Sequence, residues 1–319
     1  MLSTLIYCAN AVIPVFAVIA LGKLLSYKGG LGADFFRKLN RLVYLWLIPA
    51  VLFKGIYEAD LYTSFDGRLI LFTAAAIAST FLFALLAAKL FIKDKKRAAS
   101  FCQGCFKGNY IFLAVPILGN LLEPSAMGKV MMIAPVIVVV NNVLSVLVFY
   151  LFGCGGSGRK GFWRIFDIFW GVLKNPFILS VIIALPFPLI GIRLPVIIEK
   201  TIGYIASIST TVALIGIGGI FMLDKLKRDL KFILFSSLTK TVFSAIIIIA
   251  VAVLLGFRGV ELAIITLAFS APAATNSYTT AVELGGDGDV AAGNVLLSTA
   301  FSLFTIVIFV SILMHNSLI

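Results

Sequence analysis

Two prolines interrupt hydrophobic segments at corresponding places in the two halves of the chain, Pro116 within residues 101–122 and Pro272 within residues 261–284. A proline inside a helix donates no backbone hydrogen bond and crowds the carbonyl four residues earlier, here those of Phe112 and Ala268. In lipid such a break is tolerated only where protein or a water-filled cavity surrounds it. Neutral hydrogen-bonding side chains gather nearby. Asn109 lies two helical turns before Pro116, and Asn276 and Ser277 follow Pro272. Asn141 and Asn142 are adjacent in the next apolar segment, where only one is expected to face inward, and Asn175 precedes Pro176. An amide donates to a carboxylate while staying neutral itself, so it is tolerable to bury. Lys107 and Lys240 sit in apolar segments, near enough to one membrane face to snorkel out or to attract an anion from that side. These residue types can bind a charged solute but are poorly suited to making or breaking bonds. The competing account is structural, with ordinary kinks and interhelical hydrogen bonds.

Absences narrow the chemistry further. No Asp or Glu falls near the middle of any apolar segment, so a carboxylate-centred proton relay or sodium site has no candidate. Sodium held by carbonyls and hydroxyls at the breaks stays open. Cys102 and Cys105 form a lone CxxC, and the chain has one histidine, His315, so neither a metal centre nor another cofactor is expected. Hydrolase, kinase and redox motifs are missing, which argues against an enzyme.

The elements that must position these residues are membrane helices. The 319-residue chain is 61% hydrophobic and 13% charged, with mean hydropathy +1.11. A soluble protein of this size could not hide so much apolar surface. Ten segments read as spans: residues 4–25, 39–57, 68–91, 100–122, 129–152, 177–192, 195–222, 231–256, 260–284 and 290–313. The first lacks a basic leader and a small-residue cleavage site, so it reads as a retained helix rather than a signal peptide. The net charge of +12 does not call for nucleic acid, because the bases are sorted by loop. Loops one and three carry five each and loops five and seven four each, whereas even loops carry one or two and loop nine is acidic. The positive-inside rule then puts the odd loops in the cytoplasm and both termini outside, in a multi-pass protein of the plasma (inner) membrane.

Five spans, a cytoplasmic loop and five more spans give two halves, residues 1–152 and 177–319. Because five is odd, the halves lie inverted, and the broken fourth and ninth spans are expected to cross at their prolines. The half-helices after Pro116 and Pro272 then aim their N-termini at the crossing, where partial positive charge favours an anion. Between the halves, residues 153–176 read as a glycine-rich tether followed by an interfacial helix with its bases toward anionic lipid headgroups.

GNYIFLAVPIL (108–118), KNPFILSVIIAL (174–185), LPVIIEKTIGYIASISTTVALIGIG (194–218), Lys240 and SAPAATNSYTTAVELGGD (270–287) together resemble the auxin efflux carrier family, whose bacterial members are often named malate or malonate permeases. The likeness runs over nearly the whole chain. It implies an all-α membrane fold of ten helices in two inverted five-helix repeats, with helices four and nine crossed at Pro116 and Pro272. It also implies a scaffold of helices one, two, six and seven that forms a homodimer, and an elevator-like movement of helices three to five and eight to ten. Carried over residue by residue, Asn109 becomes the carboxylate donor, and Asn142 lies on helix five. Pro49, Val51 and Asn175 line the scaffold side. The implied activity is export of a small organic anion, auxin-like or a dicarboxylate. Lys240 is followed by Thr-Val-Phe-Ser-Ala rather than the proline usual shortly after it, so its role is not carried over. Two alternatives stand beside this. One is a sodium-coupled symporter of the bile-acid type, which would place Glu or Gln beside the crossing, where neither is expected. The other is a receptor or channel without carrier activity.

Overall fold

A computed structural model describes residues 2–28, 30–58, 65–154, 170, 173, 176–220 and 229–319. Most of the expected tether and interfacial helix, together with Asn175, lies outside them. Among the described residues there are helices and no named strand. In chain order they are α1 (Leu2–Lys28), α2 (Ala33–Leu42), α3 (Ile48–Tyr57), α4 (Gly67–Phe91), α5 (Lys95–Phe106), α6 (Val115–Leu121), α7 (Met127–Leu151) and α8 (Pro176–Ala184). Then come α9 (Pro186–Ile190), α10 (Val196–Ile220), α11 (Leu230–Leu238), α12 (Ser244–Leu254), α13 (Gly259–Ser270), α14 (Ser277–Glu283) and α15 (Gly288–His315). Six stretches are long and apolar enough to cross a membrane: Asp34–Tyr57, Gly67–Phe91, Pro124–Leu151, Val196–Gly219, Leu230–Leu254 and Gly288–His315. At about 1.5 Å per residue, the 25 residues of α4 reach roughly 37 Å, beyond the roughly 30 Å hydrocarbon core. The chain is a multi-pass membrane protein.

Aspartates start several of these helices. Asp66 accepts from the Leu69 N–H at the head of α4, and Asp94 from Lys96 and Arg97 at the head of α5. Asp287 accepts from Asp289 and Val290 at the head of α15. Each satisfies N–H groups that would otherwise be orphaned in the first turn.

Two prolines sit in helices without breaking them, against the expectation for Pro116. Val43–Leu47 and Tyr110–Ala114 are π-helical turns, and each is followed after one residue by a proline, Pro49 and Pro116. Ile48 donates to the Val43 carbonyl and Val115 to the Tyr110 carbonyl, five residues back. Widening the turn gives the pyrrolidine ring room against the carbonyl it would strike, so both helices continue through their prolines.

The helices sort by packing. α1 lies along α10, and α8 along α3, while α10 also meets α2 and α3. This group is close-packed on glycine: a Cβ on Gly218 would collide with the Ile19 carbonyl, and one on Gly22 with the Ile215 carbonyl. Asn40 donates to the Gly216 carbonyl (3.0 Å) and Ser209 to that of Leu47 (2.9 Å). Small residues that let backbones touch, with polar ties between helices, are what association in lipid requires. A second group joins α4, α5 and α7 to α11–α13 and α15. Its ends are tied by two ion clusters. Lys129 lies 2.9 Å from Glu261 and 3.5 Å from Asp66, and Arg97 lies 3.2 Å from Asp229 and 3.7 Å from Asp287.

Candidate functional site

The first broken helix stops at Phe106, not at Pro116. Lys107, Gly108 and Asn109 leave the helical path, and the chain re-enters it at Tyr110. The second stops at Ser270, and Pro272 lies inside the extended stretch that follows. These two stretches meet in an antiparallel bridge between Gly108 and Ala273. Asn109 N–H donates to the Pro272 carbonyl (2.8 Å), and Ala274 N–H to the Lys107 carbonyl (2.9 Å). The breaks therefore satisfy each other's main chain, as a buried polar backbone demands. The expected meeting of Pro116 with Pro272 is thereby corrected to Gly108 with Ala273, because the π-turn absorbed the first proline. The helical segments facing away from the meeting point begin at Tyr110 and Ser277.

Beside the bridge is a small cavity of about 40 Å³, room for a few waters, since one needs roughly 10–15 Å³. Lys107, Gly108 and Asn109 line it with Asn141, Asn142, Asn276 and the apolar Ile137, Val138 and Phe177. The carbonyl oxygens of Asn109, Asn141 and Asn276 are buried there without a hydrogen-bond partner. Asn109 is 3% exposed. Groups so deeply buried and unpaired are costly unless a ligand or water meets them. Asn141 and Asn142 both line the cavity, against the expectation that only one could. Asn142 spends its NH2 on the Val138 carbonyl (2.8 Å), which leaves Asn141 the less engaged amide.

Other expected residues lie elsewhere. Ser277 is buried at the head of α14, its hydroxyl unpaired, outside the cavity wall. Pro116 is half-buried and does not line the cavity, nor do Pro49 and Val51 on α3. The wall on that side is Phe177, which packs on Tyr44 with ring centroids 4.9 Å apart. Nothing in the sequence distinguished Phe177, Ile137 or Val138, which are apolar residues in apolar segments.

Both lysines turn inward. Lys107 is 2% exposed and Lys240 1%, so neither snorkels to the membrane face. The Lys107 ammonium donates to the Thr280 hydroxyl (3.3 Å) on α14. Lys240 donates to the carbonyls of Ala268 (3.3 Å) and Phe269 (3.0 Å) at the end of α13. Among the described residues neither has an acidic side chain within ion-pair distance. Gln103 corrects a second expectation. Because the break falls at residues 107–109, Gln103 comes within one turn of it, fully buried and with both amide atoms unpaired. Cys102 and Cys105 are buried free thiols in α5, and among the described residues no group of three His, Cys, Asp or Glu could hold a metal.

The sequence profile of a family described as "Membrane transport protein" matches residues 7–310. A protein described as "Uncharacterized transporter YfdV" from Escherichia coli K12 is 24% identical over 214 residues, 65% of this chain and 66% of that protein, just under two thirds of its length. An "Uncharacterized transporter" from Methanothermobacter thermautotrophicus is 24% identical over 301 residues, covering 93% of this chain and 95% of its own. With a bridged pair of broken helices, two buried lysines and a profile match over nearly its whole length, the chain belongs to this membrane transport protein family, that of the auxin efflux carriers.

Proposed function

We propose that this transporter is a secondary carrier of small organic anions, an exporter working by elevator-type alternating access around the crossing of its fourth and ninth spans. The observation that carries the anion is the pair of buried ammonium groups flanking the bridge, without an acidic partner among the described residues. A lysine in the middle of a membrane costs at least about 2.5–3.5 kcal/mol. A carboxylate arriving beside Lys107, with Asn109 and Asn141 turned to donate, offsets that cost. At about 40 Å³ the cavity is too small for such a ligand, so loading requires it to open.

Repetition in the packing supports ten spans in two inverted repeats. The pairings recur when each span number is advanced by five, one with seven becoming six with two, and three with four becoming eight with nine. Three with five likewise becomes eight with ten, and one with ten becomes six with five. The ion clusters follow the same rule. One joins the starts of spans three, five and nine, the other those of eight, ten and four, each with one base and two acids. On this reading spans one, two, six and seven form a scaffold through which two copies dimerise. The remaining spans carry the site, and both termini face outward from the plasma (inner) membrane.

The test is purified protein in liposomes. Saturable flux with counterflow of a mono-, di- or indole carboxylate is expected, and ligand binding without flux would instead indicate a receptor. Asn109→Ala should weaken affinity for the transported acid roughly 10- to 150-fold, the loss of one hydrogen bond to a charged group. Unchanged affinity and flux for every acid would sink the assignment of Asn109. Gln103 gives one specific reason to keep sodium-coupled symport as a second reading, which sodium-dependent uptake would support.

A further inference from the structure

Pro272 has no N–H to return to the Ala268 carbonyl, and the end of α13 leaves further carbonyls without helical partners. The Ala271 N–H serves Leu267, so Ala268 and Phe269 point their oxygens toward the crossing. This is also the negative end of the α13 dipole. Unwound carbonyls and helix C-termini at a broken span are a recurrent way to hold a coupling cation in carriers. Here the Lys240 ammonium stands at that place, 3.3 and 3.0 Å from the two oxygens, with the Phe269 ring centroid 5.9 Å away. The space is closely fitted. A Cβ built on Gly108 would lie 3.0 Å from Lys240 Cε, 3.1 Å from its Nζ and 3.2 Å from the Ala268 oxygen. Lys240 reaches it from a π-turn, Thr239–Phe243, which contains no proline. The hydroxyls of Thr239 on that turn and Thr266 on α13 are buried and unpaired.

We propose that Lys240 is a tethered cation, its ammonium filling a carbonyl site at the end of α13 that would otherwise hold a free monovalent ion. Truncating the side chain vacates the charge and leaves the oxygens, so the shortened variant acquires a site for ammonium or sodium. The ligand class follows from the donors: neutral oxygens, with no carboxylate paired to Lys240 among the described residues, suit a single positive charge rather than a divalent metal. Lys240 acts on the anion site through the bridge it supports, as a positioning residue.

The experiment uses the full-length protein in detergent with no organic acid present, so its failure leaves the anion reading untouched. Thermal unfolding of wild type, Lys240→Ala and Lys240→Met is followed at constant ionic strength in choline, tetramethylammonium, potassium, sodium or ammonium chloride. Wild type should melt alike in all of them. Lys240→Ala should melt lower in choline and recover saturably with ammonium or sodium but not with tetramethylammonium. Lys240→Met, which fills the space without charge, should melt lower than wild type and respond to none. Recovery of folded Lys240→Ala only when ammonium or sodium is present would also support the proposal. It is overturned if wild type is saturably stabilised by sodium, if Lys240→Ala ignores the cation, or if Lys240→Ala folds in no salt while Lys240→Met does.

Discussion

Replacing Lys107 by Met should move stability and affinity in opposite directions. Burying the lysine costs about 2.5–3.5 kcal/mol on insertion scales. Its one side-chain hydrogen bond among the described residues, to Thr280, returns about 1.5–3 kcal/mol as a contact to a charged group. Removing both leaves stability between nearly unchanged and about 2 kcal/mol higher. Thr280 is not orphaned, since its hydroxyl also donates to the Asn276 carbonyl (2.9 Å). The bridge is main chain and survives, with Lys107 N–H still serving Gln103 and its carbonyl still accepting from Ala274. Methionine, unbranched and of similar length, fills the same channel. If an organic acid is the cargo, as proposed, affinity for it should fall by the worth of one charge-assisted contact, roughly 10- to 150-fold. The assays are thermal unfolding without ligand, then a titration with whichever carboxylate gives the largest thermal shift in a screen. A stability loss above about 2 kcal/mol at unchanged affinity would refute the reasoning and make Lys107 a structural pin.

Two further outcomes follow from the packing and the ion clusters. Gly218→Ala drives a methyl group into the Ile19 carbonyl and should destabilise the α1–α10 pair by about 1–3 kcal/mol, read as a lower melting temperature. For Asp66, burial pushes the pKa up, but the Leu69 N–H, the Glu261 side chain and Lys129 outweigh it and leave the carboxyl below its usual value of 3.8. A lowered folded pKa gives stability that is present above the unfolded value and lost as pH falls through the folded one. Wild type should therefore lose about 0.2–1 kcal/mol more than Asp66→Asn between pH 5 and roughly pH 3, with matched melting curves as the check.

The helices were largely legible because their signals are local. Aspartates at 66, 94 and 287 stand where α4, α5 and α15 begin, and the apolar runs of α4 and α15 have the length of a bilayer. The break was legible in kind but displaced in position. Proline rules locate the break near Pro116, yet whether a ring breaks a helix or widens a turn depends on what packs around it. The actual break is fixed by pairing with residues far along the chain. Gly108, at the bridge, is a weak helix former but follows Gly104 in the same apolar segment, so its type alone did not mark the break. Asn109, proposed from its spacing to Pro116, does line the cavity, whereas Gln103 drew no notice, since it comes near the break only once the break is moved. The inward turn of both lysines was likewise hidden, because sequence shows the depth of a residue in a span but not which way its side chain runs.

The bridge between Gly108 and Ala273 also sets an order of events during synthesis. The Lys107 carbonyl and Asn109 N–H reach the membrane long before the peptide groups that pair with them. At roughly 5–20 residues per second the wait is on the order of ten to thirty seconds. Over that interval an unpaired peptide group in hydrocarbon would cost several kcal/mol. The nascent segment that carries Lys107 and Asn109 must therefore stay beside water, the insertion machinery or a chaperone until the segment that carries Pro272 and Ala274 arrives. A defect in the second half would then show itself first as degradation of the half already made.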